Sequence, residues 1–322
     1  MVSEAKTVEA LPARHVALVE PQSAQQRWLI DELWLASGVG ILGGRPKVFK
    51  TYLAAQISVA VASGGSVLER PARTPGPVLF FGAEDSLSAL RERFDGLAAV
   101  RSLPLESLPI YLIDVPVLRL DRRKDLHRLR ATVEKYAPRL LVLDPFVRLA
   151  RVDENSAADV SAVLASLRAI QRDYDVAILL VHHARKSPAA HPSQALRGSS
   201  DFAAWSDSNL YLVRRQQRLT LFVEHRSAPS PELPFQLTLQ AEPAPHLALS
   251  NGAFPQTEPP TDPLHNAILE HLARAPHPLS TTELRDLLRR RKADVVDALQ
   301  CLRDQGIVHR NPDGWTTTAP AD

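Results

Sequence analysis

The feature that most constrains the fold of this chain is an alternation, between residues 38 and 239, of short apolar runs with longer amphipathic stretches. Parallel strands need a connection of a dozen or more residues, usually a helix, so the alternation is typical of a mostly parallel sheet covered by helices. The apolar runs predict central strands at 39–42, 78–81, 110–113, 140–143 and 177–181. The amphipathic stretches predict crossover helices at 51–63, 86–98, 121–136 and 156–174.

The region that follows residue 209 has a different pattern. Short strands are predicted at 210–213, 219–223 and 235–239, separated by polar segments of turn length. This spacing favours antiparallel strands added at one edge of the sheet. Residues 241–263 are rich in proline, which is incompatible with regular helices and central strands, so this segment is predicted to be a linker.

The last part of the chain predicts a second, smaller unit. Helical spacing at 265–274 is followed by a capping box at 280–283 that opens a second helix, by a third helical pattern at 293–305, and by a hairpin. Three helices and a hairpin in this order resemble a winged helix-turn-helix. The expected organisation is a flexible leader at 1–26, an α/β domain at 27–240, a linker at 241–263 and a winged helix-like unit at 264–322.

Composition excludes several classes of protein. No apolar run approaches the ~20 residues that a membrane helix needs, and the N-terminus lacks the basic start and apolar core of a secretory signal. The single cysteine, Cys301, cannot form an internal disulfide or a cysteine-rich zinc site. The net charge of +2 confines any polyanion site to a local surface. We therefore expect a cytoplasmic protein with no membrane contact.

A phosphate-binding loop is predicted where the first central strand meets its helix. A strand that ends in glycines is followed by a loop and then by Lys50-Thr51 at the start of a helix. This arrangement turns backbone N–H groups toward a polyphosphate. Lys50 is expected to reach the β- and γ-phosphate oxygens of ATP, and the Thr51 hydroxyl to ligate Mg²⁺. The competing interpretation is an ordinary glycine-containing turn before a helix. The loop comprises Gly44, Arg45, Pro46, Lys47, Val48, Phe49, Lys50 and Thr51.

Acidic residues end two strands of the predicted sheet. Asp144 ends a buried strand at the edge where α/β sheets collect ligands, so it is expected to hold Mg²⁺ through water, although a strand-terminal Asp is also a common helix cap. Glu84 and Asp85 end another strand, and Glu84 is placed to orient and deprotonate an attacking water. Asp85 or Ser86 is expected to cap the following helix, which would occupy the second acid and leave the first free.

A pair of histidines and a polar loop follow the fifth central strand. His182 and His183 lie where a sensor of the γ-phosphate would sit; a shared zinc ion is disfavoured because adjacent strand residues point to opposite faces. The loop at 184–201 is either a solvated surface segment or a contact to a nucleic-acid backbone. Its candidate contact residues are Arg185, Lys186, Arg197, Gly198 and Ser199.

These motifs occur in an order that resembles a known family. Gly40-Ile-Leu-Gly-Gly-Arg-Pro-Lys, Gly82-Ala-Glu-Asp-Ser, Leu143-Asp-Pro, Val181-His-His and Leu196-Arg-Gly-Ser-Ser are similar to motifs of RecA-like ATPases of the plasmid RepA type, which are relatives of the DnaB replicative helicases. The resemblance covers about residues 27–240. It implies a RecA-like α/β fold, hexameric rings, ATP hydrolysis at subunit interfaces and translocation on single-stranded DNA.

The same resemblance assigns roles to individual residues. Lys50 and Thr51 take the phosphate and Mg²⁺ roles, Asp144 the Mg²⁺ role, Glu84 that of the catalytic base, and His182 or His183 that of the sensor. Arg226 aligns with the arginine finger that completes a neighbour's site. Two positions depart from the pattern, because Phe49 stands where glycine precedes the lysine and Glu224 stands where the family often has lysine. Both departures bear on hydrolysis more than on nucleotide binding.

The predicted winged helix-like unit has a mixed charge pattern. Arg290, Arg291 and Lys292 precede its third helix and are candidate phosphate contacts. Asp294 and Asp297 occupy the early turns of that helix, where the field of DNA would repel acids. The unit is therefore interpreted either as a DNA reader or as a contact for a replication or regulatory protein.

Two functions remain in view from the sequence. The first is an ATP-dependent motor of the plasmid or phage replicative-helicase kind, whose subunits form a ring on single-stranded DNA. The second is a nucleotide-switched regulator, which binds DNA or a partner, turns over slowly and does not unwind DNA.

Overall fold

A computed structural model describes residues 13–20, 23, 25–150, 157–183, 200–215, 218–250, 263–304, 307–311 and 314–317. Its centre is a nine-stranded sheet. The strands of this sheet are β3 Val39–Gly44, β6 Val78–Gly82, β7 Ile110–Leu112, β8 Leu140–Asp144, β9 Ala177–His183, β10 Ser208–Arg215, β11 Arg218–His225, β12 Phe235–Gln240 and β13 His246–Leu249. They lie in the order β13-β12-β11-β10-β3-β9-β8-β6-β7. The neighbouring strands from β10 to β7 run parallel, and the pairs β10–β11, β11–β12 and β12–β13 run antiparallel.

Helices cover both faces of the sheet and enclose two hydrophobic cores. Along β8, Leu140 and Val142 face the first core, whereas Leu141 and Leu143 face the second, as expected for a strand buried on both sides. The helices of this part are α1 Lys50–Ser63, α2 Leu87–Ala99, α3 Arg123–Tyr136, α4 Ala157–Tyr174 and α5 Ser200–Trp205. The RecA-like α/β class is confirmed, and every predicted strand and crossover helix of the sheet region is present within two residues of its expected ends.

Two short hairpins were not predicted. The strands β1 Trp28–Ile30 and β2 Trp34–Leu35 form one, and β4 Ser66–Val67 and β5 Arg70–Pro71 form the other. Trp34 is fully buried and donates its indole N–H to the carbonyl of Gly38 at 3.2 Å. These strands are too short to show a period in the sequence, so only tertiary contacts reveal them.

The main sheet extends beyond residue 240, into the segment predicted as a linker. β13 pairs with the edge strand β12 from Leu237↔Leu249 to Gln240↔His246. Its place is secured by Gln56 of α1, whose side-chain amide donates to the carbonyl of Leu247 and accepts from its N–H, both at 2.8 Å. The flanking prolines obscured this strand because proline is tolerated next to an edge strand, where fewer backbone donors are required.

Residues 263–317 include three further helices and a hairpin around a core of their own. The helices are α6 Pro263–Arg274, α7 Thr281–Leu288 and α8 Lys292–Asp304, and the strands are β14 Val308–Asn311 and β15 Gly314–Thr317. The predicted capping box at Ser280 and Glu283 is present. Leu284, Leu299 and Trp315 are among the residues that form the core. Across the described residues, no helix combines the length and apolar character that a membrane crossing requires.

Candidate nucleotide-binding site

Four adjacent strands deliver the predicted site residues to one edge of the sheet. The order β3-β9-β8-β6 brings together the loop after β3, the histidines of β9, Asp144 of β8 and Glu84 just after β6. All four strands are parallel, so their carboxyl ends meet at the edge where open α/β sheets bind ligands.

Glycines allow β3 to lie unusually close to β10. A Cβ atom on Gly40 would lie 1.7 Å from the carbonyl oxygen of Ser208, and one on Gly44 would lie 2.5 Å from that of Leu212. Gly44 is also the last residue of β3 and the first of the loop. The glycines therefore set the position from which the loop starts.

Lys50 lies buried at the start of α1. Its ammonium donates to the carbonyl oxygens of Gly44 and Arg45 at 3.0 and 2.9 Å. Burial lowers its pKa to about 8, although the nearby charges of Asp144 and Glu84 oppose that shift. The ammonium is thus held inside the curve of the loop, where a polyphosphate would meet it.

Phe49 occupies the N-cap position of α1 in the left-handed backbone region, at φ 68° and ψ 25°. This conformation costs a non-glycine residue roughly 1–2 kcal/mol, which explains why P-loops have glycine here. The ring packs against the first core, lies 6.3 Å from the Tyr52 ring and has the Arg214 guanidinium 5.7 Å from its centroid. These side-chain contacts offset the backbone strain of Phe49, a strain that glycine at this position would not have.

Thr51 and Asp144 form the candidate metal pair. The Thr51 hydroxyl donates to Asp144 Oδ2 at 2.7 Å, and Asp144 is 6% exposed. Burial raises the pKa of the Asp144 carboxyl to about 6, although the Thr51 hydrogen bond and the Lys50 charge oppose the shift. A hydroxyl and a carboxylate that share a hydrogen bond are the oxygen ligands expected for Mg²⁺.

Glu84 faces two cationic or potentially cationic side chains. Its Oε1 accepts from Arg148 Nε at 3.2 Å, and its Oε2 lies 3.8 Å from His183 Nε2. The pKa of His183 is lowered, chiefly by burial and also by the positive charges of Lys50 and Arg148. Glu84 therefore lies beside Arg148 and His183 and close to the charge of Lys50.

Asp85 is occupied, but not by capping a helix. Its Oδ2 accepts from Arg93 Nη1 at 2.7 Å, and the Arg93 guanidinium lies 4.6 Å from the Tyr52 ring centroid. Ser86 is the N-cap of α2 and accepts from the N–H of Ala89. Of the two predicted caps, the structure has Ser86.

The two candidate sensors lie in different environments, as expected for neighbours in a strand. His182 is 4% exposed and lies between the rings of Phe146 and Phe202, 6.0 and 4.6 Å from their centroids. His183 instead faces Glu84. Its buried Nδ1 has no hydrogen-bond partner among the described residues. Of the two, His183 is the one that lies beside another candidate site residue.

Arg226 lies near the ends of the strands that are opposite the phosphate-binding loop. β11 is antiparallel to β10, and its last residue pairs with Ser208, which itself pairs with Gly40 near the start of β3. The Arg226 guanidinium is exposed and donates to the carbonyl of Ala204 at 3.1 Å. β11 is not an edge strand, because β12 and β13 follow it. Arg226 therefore cannot reach the nucleotide site of its own subunit, because several residues of β3 separate its level in the sheet from the phosphate-binding loop.

The other predicted contact residues divide into two groups. Arg185, Lys186, Arg197, Gly198 and Ser199 lie outside the described residues. Arg290 and Arg291 are exposed between α7 and α8, and Lys292 and Asp294 are exposed on the first turn of α8. Sequence reasoning missed Arg148, Arg93 and Tyr52, because no motif marks them and arginine is common along the chain.

The residues of this edge fit a nucleotide with its metal. A buried ammonium within the loop and a paired hydroxyl and carboxylate are groups that a phosphate–metal complex would satisfy. The fold and this edge define a P-loop ATPase.

A family model described as an AAA domain (AAA_25) matches residues 4–189, which is more than half of the 322 residues. The chain belongs to this AAA domain family. The match agrees with the resemblance to RecA-like P-loop ATPases that the motifs indicated.

Solved structures that are similar to this chain include a recombinase, a replicative helicase and a KaiC-like protein. The RadB recombinase is 18% identical, covers 67% of this chain and 91% of its own, and has a TM-score of 0.49. A DnaB-like replicative helicase, described with its interactions with primase, is 15% identical over 67% of this chain and 58% of its own, with a TM-score of 0.49. A KaiC-like protein from Pyrococcus horikoshii OT3 is 16% identical over 69% of this chain and 93% of its own, with a TM-score of 0.48.

Proposed function

We propose that this ATPase binds ATP with Mg²⁺, hydrolyses it, and acts as a ring-forming motor on single-stranded DNA of the plasmid or phage replicative-helicase kind. The observation that carries the hydrolytic part is the meeting of Lys50, the Thr51–Asp144 pair and Glu84 at one sheet edge. The motor on DNA, and a hexameric ring, rest on the order of the sequence motifs.

The chemistry follows from what each side chain can do. Lys50 supplies a positive charge to the β- and γ-phosphate oxygens, and Thr51 and Asp144 hold the metal. A bound Mg²⁺ would neutralise charge on the phosphate oxygens. Glu84 orients a water and accepts its proton, and His183 lies where it can hydrogen-bond to the γ-phosphate. Arg226 of a neighbouring subunit would stabilise the negative charge that develops on the γ-phosphate oxygens.

The basic surfaces supply the nucleic-acid part of the proposal. Arg185, Lys186, Arg197, Gly198 and Ser199 would contact single-stranded DNA from the loop after β9. In the C-terminal part, which we propose to be a winged helix-like domain after a linker, Arg290, Arg291 and Lys292 would contact phosphates or a partner protein. The exposure of these three cations supports an intermolecular role.

A regulator is the second candidate, and one observation favours it. Phe49 stands where the motif has glycine and lies in the left-handed backbone region, so nucleotide binding without fast turnover is chemically reasonable. Such a protein would change its assembly state on binding ATP and would turn over slowly.

Measurement of ATPase rate with and without single-stranded DNA, beside native mass spectrometry, separates the two candidates. A motor shows turnover that DNA strongly stimulates and a ring mass. A regulator shows slow turnover that DNA leaves unchanged, together with a nucleotide-dependent mass. Absence of any nucleotide binding would contradict both.

A further inference from the structure

The two carboxylate oxygens of Glu84 have different surroundings. Oε1 accepts a hydrogen bond from Arg148 Nε at 3.2 Å. Oε2 faces His183 Nε2 at 3.8 Å, which is beyond hydrogen-bonding distance. The Arg148 guanidinium thus engages one oxygen and leaves the other directed toward the histidine side of the site.

The backbone that carries Arg148 is firmly anchored. Arg148 ends a 3₁₀ turn, Phe146–Arg148, that begins two residues after Asp144. Phe146 and Leu149, on either side of the exposed residues, are fully buried, and the carbonyl of Leu149 accepts from the N–H of Leu120 at 2.7 Å. The turn is therefore fixed relative to β8.

The backbone that carries Glu84 is tied to the same strand. The N–H of Ala83 donates to the carbonyl oxygen of Asp144 at 2.8 Å. The backbones of Glu84 and Arg148 are thus both anchored close to Asp144. The side chains of Glu84 and Arg148 are 45% and 60% exposed, so packing restrains them little. The hydrogen bond between the two side chains is therefore what orients the carboxylate.

We propose that Arg148 is a positioning residue for Glu84: it holds Oε1 and so presents Oε2 as the oxygen that takes the proton of the attacking water. This inference rests on the proposed hydrolysis of ATP. In that step a bond forms between the water oxygen and the γ-phosphorus, and the bond from that phosphorus to the β–γ bridging oxygen breaks. The bridging oxygen leaves with the bonding electrons as part of ADP, and one water proton goes to Oε2.

The neighbouring groups are compatible with this role. His183 also faces the carboxylate, and burial lowers the pKa of its imidazole, which favours the neutral form. The Lys50 charge acts on Glu84 as well, but Arg148 is the cation that donates a hydrogen bond to the carboxylate. An ion pair this exposed contributes little to folding, so its loss should affect turnover and leave stability nearly unchanged.

The test is a comparison of Arg148→Ala, Arg148→Lys and a control, with ATP affinity, kcat and melting temperature measured for each. Loss of orientation of a catalytic group costs up to about 100-fold in rate, so Arg148→Ala should lower kcat by about 10- to 100-fold and change the Kd for ATP less than about twofold. Lysine keeps the charge and should recover part of kcat. Arg274→Ala is the matched control, because Arg274 forms an exposed ion pair with Glu270 away from the site.

A double-mutant cycle shows whether Arg148 acts through Glu84. Arg148→Ala should cause no further loss in a Glu84→Gln background, because the base that it positions is already absent. The inference is overturned if Arg148→Ala matches the wild type, if it raises kcat, if it weakens ATP binding with kcat unchanged, or if its loss of rate persists beside Glu84→Gln. Absence of turnover in the wild type would instead refute the proposed function.

Discussion

The site has a buried half and an exposed half. The buried half contains Lys50 and Asp144 and would hold phosphate and metal, whereas the exposed half contains Glu84 and Arg148 and would activate water. Lys50 and Asp144 are 5% and 6% exposed. Glu84 and Arg148 are 45% and 60% exposed. The buried half is held by hydrogen bonds among its own residues, at the cost of shifted pKa values, whereas the exposed half is held by the ion pair between Glu84 and Arg148. Binding and turnover should therefore respond differently to mutation.

Removal of the Lys50 charge should cause the largest loss. Lys50→Met should abolish measurable turnover and weaken ATP binding by more than about 100-fold, since hydrogen bonds to charged groups contribute roughly 1.5–3 kcal/mol each. Its folded pKa, about 8, lies below the unfolded value of 10.5, so the charged form is disfavoured by folding at neutral pH. The melting temperature of Lys50→Met should therefore stay the same or rise. Undiminished ATPase activity would refute the P-loop assignment.

Arg226 tests whether the exposed half is completed in trans. Arginine fingers contribute roughly 10³- to 10⁵-fold to rate, so Arg226→Ala should lose turnover by a factor in this range and retain ATP binding. Arg226→Ala subunits mixed with Lys50→Ala subunits should regain activity that neither has alone. Mixtures that co-assemble by native mass and remain inactive would count against a finger in trans.

Glu84→Gln should separate the two halves. The amide keeps the shape of the side chain but loses the base, so turnover should fall about 10²- to 10⁴-fold with ATP affinity preserved. Asp85→Asn is the matched control, because Asp85 is paired with Arg93 and should have a far smaller effect. If Asp85→Asn stopped turnover and Glu84→Gln did not, the roles of the two acids would be reversed.

The buried half should also give nucleotide binding a defined pH window. Metal ligation needs an ionised Asp144, whose pKa is about 6, and phosphate binding needs a protonated Lys50, whose pKa is about 8. Affinity for Mg²⁺–nucleotide, measured by calorimetry, should be highest between these values. It should fall as pH drops through the Asp144 pKa and as it rises through the Lys50 pKa. Asp144→Asn should remove the acid limb and keep the alkaline one.

Substitution of Phe49 should have the smallest effect, and the quantity that changes should be the free energy of unfolding. Phe49→Gly removes both the ring and the cost of a Cβ in the left-handed region, whereas Phe49→Ala removes only the ring. Phe49→Ala should therefore be less stable than Phe49→Gly by about 0.5–1 kcal/mol in urea unfolding. Equal stability of the two variants would show that the backbone at this position is not strained.

The sequence by itself determined the α/β class, the four crossover helices, the strands of the main sheet other than β13, and which loop precedes α1. These features are periodic or local: apolar runs, amphipathic stretches, and a lysine and threonine next to each other at a helix start. A parallel sheet then implied that Asp144 and Glu84 would lie at the same edge as that loop, because the carboxyl ends of parallel strands meet at one edge.

Only the tertiary structure decided what each of these side chains contacts. Arg148 reaches Glu84 from 64 positions away in the chain, and Gln56 secures β13 from 191 positions away. His183 rather than His182 faces the site because α5 covers the other face of β9 with Phe202. Such contacts depend on strand order and packing between distant segments, which leave no period and no motif in the sequence.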